Sequence, residues 1–324
     1  MTENLLLVNA GAGRAKKGSE LDTLLAAAHQ QPNLRVHLLQ PKDNIPQIVK
    51  EAIKKGAKAI GAAGGDGTIN SVASALVDTK VPLVVIPFGT LNHFARDIGV
   101  PTQFEQALAL FETGETLTID VGEVNGNYFL NNSSVGIYSR LVKEREKHEK
   151  RLGKWIAFAF AAWNVLRYPR LVNIKLDIDG KAQDLKVGLI FFSNNRADMS
   201  PLVAGHRPRL DGQVLDTFVV KASTPFEFFR VASNFLRNRL EESPLVTRTE
   251  TSEATVYTAT HRLRVACDGE VRLIASPLHY LVHPAALVVK VPAAASEQAE
   301  SKESGEVEQK GLQAQVLTNP KGDK

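Results

Sequence analysis

The stretch "AIGAAGGDGTINSVASAL", residues 59–76, decides how the chain is read. An apolar run of strand length meets Gly64, Gly65 and Gly67 around Asp66, then continues in a helix-like pattern from Thr68. A plain strand-to-helix connection needs one cap, not three glycines around a carboxylate. Glycine removes the Cβ and lets backbone N–H groups face an anion, and a helix start adds its positive pole. Asp66 would repel a phosphate, but it suits Mg²⁺ or the metal's water shell, which neutralises phosphate oxygens. The stretch therefore predicts a phosphate site with a metal-holding carboxylate.

On either side, strand-like and helix-like patterns alternate. "NLLLVNA", "LRVHLLQ", "AKAIGAA" and "VPLVVIPFG" are short apolar runs, and "SELDTLLAAAHQ", "DNIPQIVKEAIKKG" and "TINSVASALVD" are helical between them. That alternation predicts a parallel sheet wrapped by helices. Two more loops, "NAGAG" (Asn9 to Gly13) and "PFGTLN" (from Pro87), would share the carboxyl ends of strands with "GGDGT", where ligands of α/β sheets bind. Each of those two loops alone is ordinary turn chemistry.

After about residue 124 the pattern changes. Asn125-Gly126 and Asp179-Gly180 sit between alternating apolar stretches, a strong hairpin signal. "VNIKLDIDGKAQDLKVGLIFFS", "HRLRVACDGEVRLIA" and "ALVVKVP" continue in strand-like fashion, with helical stretches at 140–168 and 225–240. The expected fold is an α/β domain over 1–124, a β-rich, antiparallel, sandwich-like domain over 125–292 whose last strands return to the first, and a disordered tail over 293–324. The tail has no aromatic residue and little apolar content to offset its ordering entropy.

The chain has 324 residues, 44% of them hydrophobic, with a net charge of +4 and one cysteine. One cysteine rules out an internal disulfide and suits a reducing compartment. No apolar run approaches the roughly 20 residues that span a bilayer, and no export signal is visible, so a cytoplasmic protein is expected. The stretch from Arg140 to Lys154 holds seven Lys/Arg against three Glu. A basic belt suits nucleic acid, anionic lipid or simply a solvated helix face. Cys267 reads as a small buried apolar residue, and the eight histidines show no zinc-ligand spacing.

Four stretches, "GGDGTINSVASAL", "VVIPFGTLNHFARDIGVP", "TIDVGEVNGNYFLNNSSVGI" and "ACDGE", resemble in order and spacing the diacylglycerol kinase catalytic-domain family. The resemblance covers roughly residues 4–292 and is nearest to soluble bacterial lipid kinases, with sphingosine kinases further off. "GGDGT" alone is shared with NAD kinases; the later "PFGTLN" separates the lipid kinases from them. The resemblance implies transfer of the γ-phosphate of ATP to a lipid hydroxyl, diacylglycerol-like, with Mg²⁺. It implies that Asn9, Gly64, Gly65, Asp66, Gly67, Thr68, Gly89, Thr90, Asn92 and Glu270 surround the nucleotide and metal. Asp268 in "ACDGE" matches the family's general base, Asp120 in "TIDVG" an acid of the active-site network, and Asp211 a structural Mg²⁺ region. From the residues alone, Asp268-Gly269 reads first as a hairpin turn; the match with Glu270 and the preceding strand reverses that order.

The family pattern Asn-Asp-Phe-Ala-Arg has His93 in place of its Asp, and the first loop starts Asn9-Ala10 where the family has Asn-Pro. Alternatives to a lipid kinase are an NAD kinase, or a nucleotide- or lipid-binding regulator whose catalysis has weakened. The expected partner is a lipid substrate at a membrane surface, reached by peripheral association, with a homodimer as one arrangement and no nucleic acid. The apolar, aromatic stretches "KWIAFAFAAWNVLRYPR" and "PFEFFRVASNFLRNRL" suit interfacial helices or core helices with one wet face.

Overall fold

The structure, a computed structural model, describes residues 4–11, 18–89, 92–167, 169, 171–201, 203, 205–293 and 295. Thr90 and most of the expected tail lie outside the described residues. The first part of the chain alternates as its pattern demands. The order is β1 (Asn4–Val8), α1 (Gly18–His29), β2 (Leu34–Leu38), α2 (Ile45–Lys54), β3 (Ile60–Gly64), α3 (Asp66–Leu76), β4 (Leu83–Pro87), α4 (His93–Asp97) and α5 (Phe104–Thr113). The strands run parallel in the order β2-β1-β3-β4. Every residue of β3 and β4 is buried, as in a sheet covered on both faces. Gly61 is required where α5 crosses: a Cβ there would stand 2.6 Å from the Phe111 ring and 2.8 Å from Leu6.

The second part is antiparallel. It comprises β5 (Glu115–Val124), β6 (Asn127–Phe129), β7 (Asn132–Gly136), α6 (Ile137–Leu152), α7 (Lys154–Arg167), β8 (Val172–Ile178), β9 (Lys181–Val187) and β10 (Leu189–Asn194). It continues with β11 (Leu215–Val220), α8 (Pro225–Leu236), β12 (Val246–Thr251), β13 (Glu253–Thr258), β14 (Arg262–Cys267), β15 (Glu270–Ala275) and β16 (Leu278–Val291). The hairpin turns at Asn125-Gly126, Asp179-Gly180 and Asp268-Gly269 all hold two residues at positive φ, the geometry that matches strand twist in two-residue turns. Two sheets result. One has six strands in the order β12-β11-β10-β7-β14-β15; the other has ten, in which β16 joins the parallel strands to β13, β8 and β9. β16 does so by pairing parallel with β4 at Val289↔Leu83 and antiparallel with β5 and β13, its register shifting between His283 and Leu287.

The sheets pack face to face through Val124, Phe129, Val135, Phe192, Val265 and Tyr280. Helices α7 and α8 cover the outer face of the six-stranded sheet, where Val165 and Phe228 meet Phe218, Val220 and Val246. The helical stretch expected over 140–168 is two helices, because Gly153 at φ +77° turns the chain between α6 and α7. Among the described residues no helix is long and apolar enough to cross a membrane.

One buried ion pair ties these parts together. Arg207 and Asp97 each have side chains only 1% exposed, with Arg207 Nη2 at 2.7 Å from Asp97 Oδ2 and Nε at 2.9 Å. The same guanidinium donates to Leu130 O, to Asn194 O at 3.2 Å and to Asn131 Oδ1 at 2.8 Å. It thus binds the end of α4, the β6–β7 connection and the end of β10 in one fork. Removing one partner of a buried pair leaves an uncompensated charge, which costs about 3–5 kcal/mol. Arg207→Met is expected to lower unfolding stability by about that amount. Combining it with Asp97→Leu is expected to restore much of the loss, both read by urea denaturation.

Candidate active site

The carboxyl ends of β1, β3 and β4 deliver three loops to one place. Asn9, just past β1, donates from Nδ2 to Thr68 Oγ1 at 2.9 Å and accepts at Oδ1 from Gly11 N. That Thr68 sits in the first turn of α3, so the first loop is anchored directly to the second. Gly64 ends β3 beneath the Thr68 side chain, where a Cβ would lie 2.5 Å from Thr68 Cβ. Gly89 passes close to Gly65: a Cβ on Gly89 would lie 2.6 Å from Gly65 Cα. Asn92, at φ +49°, folds back over this turn, accepting from Gly89 N at 3.0 Å and donating to Gly89 O at 3.1 Å. Asn92 therefore shapes the third loop, both ends of its amide being used on Gly89.

Asp66 opens α3, with Gly65 as the extended residue before it. Its Oδ1 is buried and has no hydrogen-bond partner. Burial is the main cause that raises its pKa, opposed by the backbone N–H groups of Phe94 and His93 and by the Arg96 charge. An orphaned carboxylate oxygen among glycines is a donor that a hard divalent cation would complete. His93 stands alongside, its pKa pushed down chiefly by burial, so the ring is neutral at pH 7. A guanidinium can only donate, so the 2.9 Å contact from Arg96 Nη2 makes His93 Nδ1 an acceptor and places the ring proton on Nε2.

The β14–β15 hairpin brings the other half of the site. Glu270 reaches the start of α3, and any Cβ added at Gly67 would strike Glu270 Oε1. Two residues earlier, Asp268 occupies the first position of the turn at φ +47°. Its Oδ1 accepts from Asn131 N at 2.8 Å and Asn132 N at 3.0 Å, and its Oδ2 from Leu130 N at 2.8 Å. A carboxylate has about four acceptor sites, so one is left on Oδ2. Burial raises the Asp268 pKa, against those three N–H groups and the nearby Arg207 charge. The turn reading and the acidic reading of Asp268 are thus compatible, since one residue is both.

Asp120 and Asp211 complete the set of expected acids. Asp120 is buried, and its oxygens accept from Ala285 N at 2.9 Å and Gln213 N at 2.6 Å. It latches β5 to the irregular step of β16 and to the loop before β11. Asp211 is held by Arg209 through Nε at 3.0 Å and Nη2 at 3.1 Å. Among the described residues no group of three or more His, Cys, Asp or Glu is placed to hold a metal. Burial raises the Asp120 pKa, and Asp211 lies close enough for its charge to raise it further.

Sequence reading missed Asp97, Asn131, Asn194 and Arg207, which position Asp268 through the 130–132 segment. Asn194 donates from Nδ2 to Leu130 O at 3.0 Å and Asp120 O at 2.9 Å, supporting that segment from behind. No periodicity marks such residues; the only signal was charge inside "FARDIG" and "GHRPRL".

Residues 3–124 match the family model described as the diacylglycerol kinase catalytic domain. A Bacillus subtilis diacylglycerol kinase is 30% identical over 228 residues, covering 68% of this chain and 74% of that protein. A Pseudomonas aeruginosa protein named "Probable lipid kinase YegS-like" is 28% identical over 287 residues, covering 87% and 92%. An uncharacterized Synechocystis protein is 28% identical over 252 residues; the match covers 74% of this chain but spans only 58% of that relative's length. Among solved structures, a Bacillus anthracis diacylglycerol kinase has the same fold, with TM-score 0.69 at 22% identity over 90% of this chain and 98% of its own.

Because burial raises the Asp66 pKa, the folded chain binds that proton more tightly than the unfolded chain does. Its contribution favours folding below the unfolded value, near pH 4, and is lost as pH rises through the folded one. Asp66→Asn is therefore expected to raise the Tm at pH 7, with the gain shrinking as pH falls towards about 4. Thermal melts across that range check it.

Proposed function

The chain belongs to the diacylglycerol kinase catalytic-domain family, and from that membership and the site geometry we propose that it transfers the γ-phosphate of ATP to a lipid hydroxyl. The observation that carries the reading is the contact of Glu270 with Gly67, which sets the Asp268 turn against the "GGDGT" loop. Phosphoryl transfer needs little covalent help from a protein. It needs phosphates held in place, charge neutralised and a hydroxyl steered in line.

The roles follow from the groups present. Backbone N–H groups of the Gly65–Gly67 turn would face the phosphates, with the positive end of α3 behind them. Asn9 and Thr68 hold the first loop in register with the second. Asp66 would hold Mg²⁺, which when bound supplies neutralising charge to the phosphate oxygens. His93, neutral and with its proton on Nε2, offers a hydrogen bond to a phosphate where the family pattern has an acid. Asp268 accepts the lipid hydroxyl proton through its remaining Oδ2 site, and burial makes it a stronger base than an exposed carboxylate. The naming of the Bacillus subtilis relative makes diacylglycerol the first substrate to try.

The test is transfer of labelled γ-phosphate from ATP to a panel of diacylglycerols, monoacylated lipids, sphingoid bases and NAD. Label is expected in a lipid. Asp268→Asn is expected to lower kcat by about 100- to 10,000-fold with KM for ATP little changed. The acid limb of the wild-type kcat profile is expected above pH 4, since the Asp268 pKa is raised. Label only in NAD would overturn the lipid reading, and no product despite ATP binding would indicate a regulator.

A further inference from the structure

The molecule exposes large apolar side chains unevenly. Helix α7 presents Ile156 at 63%, Phe160 at 43% and Trp163 at 66% exposure, spaced i, i+4, i+7 along one side. Ala161 and Val165, on the opposite side, are buried. Helix α8 presents Phe226 at 68%, Phe229 at 69% and Leu236 at 71%, while Phe228 turns inward onto the six-stranded sheet. The two helices touch each other on the outer face of the six-stranded sheet, and each turns its exposed set of three away from the residues it buries there. Ordinary surfaces carry such residues singly; a contiguous set marks an interaction site.

We propose that the α7–α8 face docks on an anionic phospholipid bilayer, with both helices lying in the interfacial plane. Charge decides for a bilayer over a second protein. On α8, Arg230 and Arg237 border one edge of the Phe226–Phe229–Leu236 stripe, the arrangement in which guanidinium groups meet phosphates while rings enter the acyl boundary. Residues 221–239 carry four bases against one acid, and that acid, Glu227, is already used in the Thr224 capping box. Helix α6, whose sequence is rich in Lys and Arg, packs against α7. Tryptophan at the edge of such a stripe, as at Trp163, suits the headgroup level.

The face is also connected to the site. Helix α6 contacts β14 and β15, the strands whose turn carries Asp268. This inference rests on the proposed lipid substrate for its purpose, but not for its test. The full chain is centrifuged with vesicles of phosphatidylcholine alone and with added phosphatidylglycerol, and its oligomeric state is measured by sedimentation velocity. Wild type is expected to bind the anionic vesicles, and Phe226→Ser/Phe229→Ser/Trp163→Ser to bind at least tenfold less. Arg230→Gln/Arg237→Gln is expected to weaken binding and flatten its salt dependence. The apolar variant is expected to keep wild-type thermal stability and full activity on a short-chain, water-soluble diacylglycerol.

Equal vesicle binding by the apolar variant and wild type would overturn the proposal, as would no binding by wild type. A wild-type dimer that becomes monomeric in the apolar variant would make a second copy the occupant and overturn it as well. Failure of wild type on the soluble diacylglycerol would instead count against the lipid kinase reading and leave the vesicle result to stand by itself.

Discussion

The buried pair in which Arg207 Nε and Nη2 both donate to Asp97 Oδ2 is the contact on which the geometry of the site depends. It lies where α4 of the parallel part, the β6–β7 connection and the end of β10 converge, and Arg207 reaches all three. A buried ion pair is weak evidence for net stability, because desolvating both charges offsets most of the attraction. Its value is directional. The guanidinium has five N–H donors in a fixed plane, so it can serve Asp97, Leu130, Asn131 and Asn194 only in one arrangement of the surrounding backbone. That arrangement points the N–H groups of Leu130, Asn131 and Asn132 at Asp268.

From that fork the two halves of the site are assembled by contact and not by reach. The β3–α3 and β4–α4 turns lie so close that a Cβ at Gly89 would collide with Gly65, and the β14–β15 hairpin presses Glu270 onto Gly67. Glycine at these positions is a spatial requirement before it is a chemical one. The same closeness dries the surroundings of Asp66, which raises its pKa and leaves Oδ1 without a donor. A buried acceptor without a partner costs stability, and functional sites are where such costs are retained.

The local parts of this architecture were legible in the chain. Asn-Gly and Asp-Gly turns are readable because few residue types accept two successive positive φ values, and all three form the hairpins their strands imply. The parallel sheet followed from apolar runs of strand length between helical patterns. Helix α5 was overlooked although Phe104, Ala107, Leu108 and Phe111 repeat at helical spacing. What was not legible is long-range. Asp97 and Arg207 are 110 residues apart, and nothing in either neighbourhood announces the other. The partners of Asp120 and Asp211 are long-range or irregular too: Asp120 accepts from Ala285 and Gln213, and Asp211 from Arg209.

We propose that Asp66 and its glycines form a metal-assisted nucleotide phosphate site. Calorimetric titration of the full chain with ATP, with and without Mg²⁺, tests it most directly, using wild type and Asp66→Asn. Mg²⁺ is expected to tighten ATP binding to wild type by at least tenfold and to have little effect on the variant. Equal ATP affinity in all four titrations would contradict it.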